Sequence, residues 1–168
     1  MNRTLRRTSL LFALPAAILL SAPVMRADSI VAVLTRPVIS TSPGSTVEFT
    51  GTITAPATNS ATIYLNGDTL NAPSPFTGDE SPFVNSFLLG HFALNPEDTF
   101  SGAFFDIGVP LSARGDFIGS FDIQGGSELN DLNLLATLQY QVSVPEPGSL
   151  VLLSLSLTGV IGAARRKA

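Results

Sequence analysis

Between Asp28 and Val144 the chain alternates apolar and polar residues with period two, in runs of strand length. Val47, Phe49, Gly51 and Ile53 fall on one face of such a run, with Glu48, Thr50, Thr52 and Thr54 on the other. Ala61, Ile63 and Leu65 alternate with Thr62, Tyr64 and Asn66, and Phe117, Gly119, Phe121 and Ile123 alternate with Asp116, Ile118, Ser120 and Asp122. Leu132, Leu134, Ala136, Leu138, Tyr140 and Val142 form a longer series with mostly polar partners. Phe100 to Val109 is a further strand, in which the adjacent Phe104 and Phe105 predict a bulge or burial on both faces. Ile30 to Leu34 opens the region, and Pro37 places it at an edge or at a crossing between sheets.

Turn chemistry separates these runs at Ser42-Pro43-Gly44, Asn66-Gly67-Asp68, Asn95-Pro96-Glu97-Asp98, Arg114-Gly115-Asp116 and Gly125-Gly126. Residues 71–96 carry four prolines and read as a long connection with one short strand near Ser86 to Leu89. No segment before Ser149 sustains a helical period. The expected fold is all-β: an immunoglobulin-like antiparallel β-sandwich of about seven strands, with pairing order left open.

Both ends depart from this pattern. Arg3, Arg6 and Arg7 precede an apolar core from Leu10 to Leu20, the layout of a secretory signal peptide helix over residues 1–27. The best cut follows Ala27, although Met25 departs from the small-residue rule at the third position before it. At the other end, Ser149 to Ala164 is sixteen residues without a charge. Although short of the ~20 residues that span a bilayer core, it ends in Arg165, Arg166 and Lys167, whose long side chains extend its reach. It reads as a transmembrane helix with a basic tail at 165–168. The chain thus divides into a signal peptide (1–27), an exported domain (28–143) and a C-terminal segment (144–168).

Charge fixes the topology. The exported domain has twelve acidic residues against two basic ones, Arg36 and Arg114, for a net charge of −10. That field disfavours nucleic acid and anionic lipid. Basic residues at both ends stay cytoplasmic by the positive-inside rule, which puts the acidic domain on the outer face of the inner membrane. Cysteine is absent, excluding disulfides, thiolate metal sites and cysteine nucleophiles.

The last 25 residues combine Val144-Pro145-Glu146-Pro147-Gly148, the apolar run with Gly159 and Gly162, and the terminal Arg165-Arg166-Lys167. In order and spacing this segment resembles the PEP-CTERM sorting domain of Gram-negative bacteria. The resemblance implies recognition by exosortase, a membrane-embedded cysteine transpeptidase. It implies cleavage near the motif and onward transport to the envelope, the surface or the exopolysaccharide matrix. Its partners would be exosortase, the secretion machinery, the inner membrane before processing and, as a candidate, exopolysaccharide. Physically, Pro145 and Pro147 prevent continuation of strand or helix, leaving an extended segment that an enzyme can read.

No catalytic constellation accompanies the motif. His91 is the single histidine, and no Gly-x-Ser-x-Gly elbow exists for it to serve. Asp68 and the paired acids Asp79-Glu80 and Glu97-Asp98 are weak calcium candidates without loop spacing to support them. A glycosidase would need a cleft lined with tryptophan or tyrosine, and the chain has no tryptophan and two tyrosines. The expectation is a non-enzymatic exported protein with no cofactor and no metal. The alternative is a carbohydrate- or calcium-binding adhesion module, and an unfamiliar glycosidase or protease ranks below it.

Overall fold

The computed structural model describes residues 28–90, 92–146 and 148. The predicted signal peptide, His91, Pro147, the apolar run from Ser149 and the basic tail lie outside the described residues. The domain is all-β, as the alternation predicts, with nine strands among the described residues.

Two sheets form it. The first has the order β1 (Val31–Leu34), β3 (Thr46–Thr54), β7 (Thr99–Gly108) and β5 (Thr77–Asp79). The second has the order β2 (Val38–Ser40), β9 (Asn133–Val144), β8 (Gly115–Gly126), β4 (Ile63–Asn71) and β6 (Ala93–Leu94). Pro37 marks a crossing. Before it, β1 pairs antiparallel with β3; after it, β2 pairs parallel with β9 in the other sheet. Strands β1 and β2 therefore join one continuous stretch of chain to both sheets. At the very start, buried Asn59 brackets the Ser29 backbone, accepting its N–H at 3.1 Å and donating to its carbonyl at 2.8 Å. Ser60 donates from its backbone N–H to the Asp28 carboxylate at 2.8 Å.

Aromatic rings fill the space between the sheets. Phe49 on β3 stacks on Phe105 of β7 at 4.8 Å and meets Tyr140 of the opposite sheet at 5.0 Å. Phe105 stacks on Phe121 at 5.0 Å, and Phe104 meets Phe121 edge-on at 5.9 Å. Burying each ring removes 150–250 Å² from water, so this layer dominates the stability of the domain.

The Phe104-Phe105 pair behaves as the sequence indicates. Phe49 pairs with Phe105 but Thr50 pairs with Ala103, so Phe104 is the extra residue of a bulge. The bulge turns two consecutive phenylalanines inward, and both are fully buried.

Several local expectations are corrected. Ser86 to Leu89 is not a strand. Ser81–Phe83 forms a helical turn, α1, that runs on into a π-turn at Val84–Leu88. Pro82 suits the first turn of a helix, and Phe83 and Phe87, four apart, share its buried face and stack at 5.0 Å. Asn66-Gly67-Asp68 is not a turn but an irregularity inside β4, between Leu65 and Gly67. The Asn66 side chain leaves the sheet to donate to the carbonyls of Glu128 and Asp131 at 2.9 and 2.8 Å.

Gly115-Asp116 begins β8, with Arg114 just before it; the turn comes earlier, closed by Ala113 N–H donating to the Pro110 carbonyl at 3.0 Å. Gly125-Gly126 ends β8 rather than turning. A Cβ at Gly125 would lie 1.9 Å from the Tyr64 carbonyl oxygen, so glycine here serves a close strand approach. Leu132 and Leu134, expected inside, are 65% and 63% exposed. A second bulge at Leu135 is the cause. Ile123 pairs with Ala136 and Gln124 with Leu134, so one extra residue reverses the faces beyond it. The count of nine strands against about seven reflects the split of the first strand at Pro37 and the very short edge strands β5 and β6.

Candidate functional site

The C-terminal motif leaves the domain without a spacer. Ser143 sits between two strands, paired with Asp116 of β8 and Ser40 of β2. Its carbonyl accepts the Thr41 N–H at 3.0 Å. Val144 pairs with Gly115, and its side chain is 1% exposed. Pro145 follows at once and has no N–H to continue the ladder; it and Glu146 are exposed. The exit is framed by two firm turns. Thr41 and Ser45 hydroxyls lie 2.7 Å apart, and the Ser45 hydroxyl donates to the Ser42 carbonyl at 2.6 Å. The Arg114 guanidinium donates to the carbonyls of Leu111, at 2.8 Å, and Ala113.

A family described as the PEP-CTERM protein-sorting motif matches residues 143–167. The chain carries a PEP-CTERM sorting signal. No curated protein matches it. The PEP-CTERM signal implies an exported protein processed by exosortase and destined for the envelope or the exterior. Of the residues that read as the motif in the sequence, Val144 belongs to the folded domain as well as to the signal. Pro145 and Glu146 lie outside the fold, and Pro147, Arg165, Arg166 and Lys167 are outside the described residues. The transmembrane expectation for Ser149 to Ala164 falls on that same undescribed segment. Among the described residues no helix is long and apolar enough to cross a membrane.

The acidic residues fall into separate groups. Register places Glu48, Asp106 and Asp79 in one row across β3, β7 and β5. Like charges directly opposite one another repel. Asp106 has an oxygen shielded from solvent and without a hydrogen-bond partner, and its carboxyl is pushed up by burial and then by Glu48 and Asp79. The sequence did not single out Glu48 and Asp106, because each alone is an ordinary outward acid on a strand; only the pairing order joins them. Asp79 is exposed and held low by its hydrogen bonds to Ser81, whose N–H donates to it at 2.9 Å. Asp68 also has an oxygen without a partner, and burial followed by the nearby Glu80 pushes it up to about 6. Glu80 is tied down by the Leu70 N–H.

Glu97 and Asp98 sit apart from these, in the turn before β7, where Asp98 accepts the Asn95 N–H at 2.7 Å. The five candidate calcium ligands are thus not one site. Among the described residues no three histidines or acids are grouped to hold a metal ion.

The raised acids predict a pH dependence. A carboxyl whose folded pKa lies above its unfolded value adds stability below the unfolded value, 3.8 for Asp68, which is lost as pH rises through about 6. Asp106 acts in the same sense. The melting temperature should therefore rise by a few degrees on going from about pH 7.5 to about pH 5. Asp68→Asn should raise it at neutral pH and flatten the profile. A scanning measurement in which acidification lowers the native melting temperature over that range contradicts the assignment.

Proposed function

We propose that the protein is a non-enzymatic component of the envelope, the cell surface or the extracellular matrix, with a structural or adhesive role. It crosses the inner membrane under its signal peptide and is held transiently by the apolar segment Ser149 to Ala164, its domain on the periplasmic side. An exosortase-type transpeptidase then cuts it near Pro145-Glu146-Pro147. The observation that carries this reading is the sorting motif beginning on the last strand of a filled domain. Such a chain is cargo, and the chemistry is done to it.

Three features support the finer points. The hydrogen bonds that join Asn59 to Ser29 and Ser60 to Asp28 bring the domain hard against the signal peptide cut expected after Ala27. The immunoglobulin-like reading is supported by the two sheets, β1-β3-β7-β5 and β2-β9-β8-β4-β6, with the chain passing from one to the other at Pro37. The interior is occupied by rings, and the depression beside Asp79 and Glu80, about 490 Å³, is open and shallow rather than a cleft that could exclude water. Polysaccharide of the matrix is the partner most consistent with this destination.

Fractionation of the native host with intact mass of the mature protein tests the reading. The expected form begins at Asp28, lacks the apolar tail and lies in the envelope or outside the cell. An intact tail on protein confined to the inner membrane overturns it.

A further inference from the structure

We propose that the free edge of β1 is a self-association surface. Two copies of this chain pair antiparallel along residues 30–34 and join their four-stranded sheets into one. Neither the edge nor its pairing depends on the sorting signal.

An unpaired strand edge is a template for another strand, and proteins blunt it with charge, proline or shortness. Each sheet here has two edges. β6 is two residues long, β2 is three residues long and follows Pro37, and β5 carries Asp79 with Glu80 next to it. β1 has none of these guards. Residues 29–35 hold no charge and no proline, and Val31 and Val33 are 53% and 54% exposed.

Backbone hydrogen bonding identifies the free groups. The Thr35 N–H donates to the Thr50 carbonyl at 2.8 Å, and Asn59 bonds both backbone groups of Ser29. Between them, a Cβ on Gly51 would strike the Val33 carbonyl oxygen. Odd-numbered residues thus turn toward β3 and the loop after it. Ile30, Ala32 and Leu34 turn their N–H and C=O groups the other way, where no strand pairs with them among the described residues.

Self-complementarity selects the occupant. A two-fold axis through Ala32 sets Ile30 opposite Leu34 and Ala32 opposite itself, so each free group meets a ladder partner. It sets Val31 opposite Val33 of the second copy, and the four valines form one apolar row on the outer face. It also sets Asp28 opposite Arg36, once at each end. Arg36 is exposed and is one of two basic residues in a domain of net charge −10. Asp28 is held in place by the Ser60 backbone and hydroxyl. Moving the axis to Val33 places Arg36 opposite Ile30 and forfeits both charge pairs. Two such acidic domains repel over most of their surface, whereas here opposite charges flank an uncharged strand.

Disulfide trapping tests the register, because the chain has no cysteine of its own. Val31→Cys and Val33→Cys are made singly, in protein recovered from the native host, and oxidised alone or mixed. Position 31 faces position 33 of the second copy as a non-hydrogen-bonded pair, with Cα atoms about 4.5 Å apart and within disulfide reach. Position 31 and its own copy lie about 7–8 Å apart on the diagonal, as do position 33 and its copy. The mixture should therefore cross-link at least about tenfold faster than either variant alone. Association through the apolar tail would not reproduce that selectivity. Equal rates in all three samples, or no cross-link in any, overturn the proposal. Sedimentation at about 100 μM should give the wild-type protein the mass of two chains. Val33→Lys, which sets a charge in the valine row at an exposed site, should sediment as one chain. A wild-type monomer, or a Val33→Lys dimer as stable as wild type, also overturns it.

Discussion

Replacing Phe104 with alanine should lower the stability of the domain by about 3–5 kcal/mol, the range for removing a buried ring. Phe104 is fully buried, and its ring meets Phe83 at 5.6 Å, Phe87 at 5.1 Å and Phe121 at 5.9 Å. It thus joins the helical turn to both sheets. It also occupies space that glycine leaves open, for a Cβ at Gly51 would lie 2.4 Å from its Cε2. With alanine at 104, Gly51 offers no side chain to fill the void, and the facing rings cannot all collapse inward. Natural domains carry about 5–15 kcal/mol in total, so much of the margin goes. For a domain of this size the melting temperature should fall by roughly 10–20 °C. Phe104→Leu, which retains most of the volume, should lose less than half as much. A drop below about 3 °C for the alanine variant would mean that the bulge does not turn this ring into the core.

The second large effect concerns sorting and leaves stability alone. Changing Pro145, Glu146 and Pro147 together to alanine should reduce the processed form at least tenfold. Full-length protein should accumulate with the membrane. The domain should be little affected, because Pro145 and Glu146 are exposed and Val144 is the last residue of the ladder among the described residues. Surface changes of this kind stay within about 0.5 kcal/mol. Immunoblots of membrane and released fractions, paired with thermal melts of the variant, separate the two expectations. Normal release of the triple variant would show that the enzyme reads something other than these three residues.

Local features were legible where the deciding forces are local. The alternation at Val47 to Ile53 marks β3 correctly, because one face of that strand is buried along its length. The Phe104-Phe105 pair gave away its bulge, since two adjacent inward rings cannot be placed on a regular strand. The signal for the helical turn was also present, in Pro82 with Phe83 and Phe87 four apart, but the surrounding prolines masked it. Leu132 and Leu134 misled because a single bulge at Leu135, invisible in the alternation, reverses the faces of everything before it. Asn66-Gly67 has strong turn chemistry, yet the pairing of β4 with β8 overrides it, and Asn66 satisfies its amide on the far loop.

The sequence by itself determined the address of this protein and the all-β character of its domain. A sorting signal is a linear string meant to be read as an extended chain, and strand alternation is a property of neighbours in sequence. Only the tertiary structure decided that Val144 belongs to a sheet as well as to the signal. It also decided that Glu48, Asp106 and Asp79 stand in one row and that, of the five candidate calcium ligands, Glu97 and Asp98 sit in a turn of their own. Those outcomes depend on which strands pair and in what register. That choice is made by contacts between residues tens of positions apart, above all the rings shared between the two sheets.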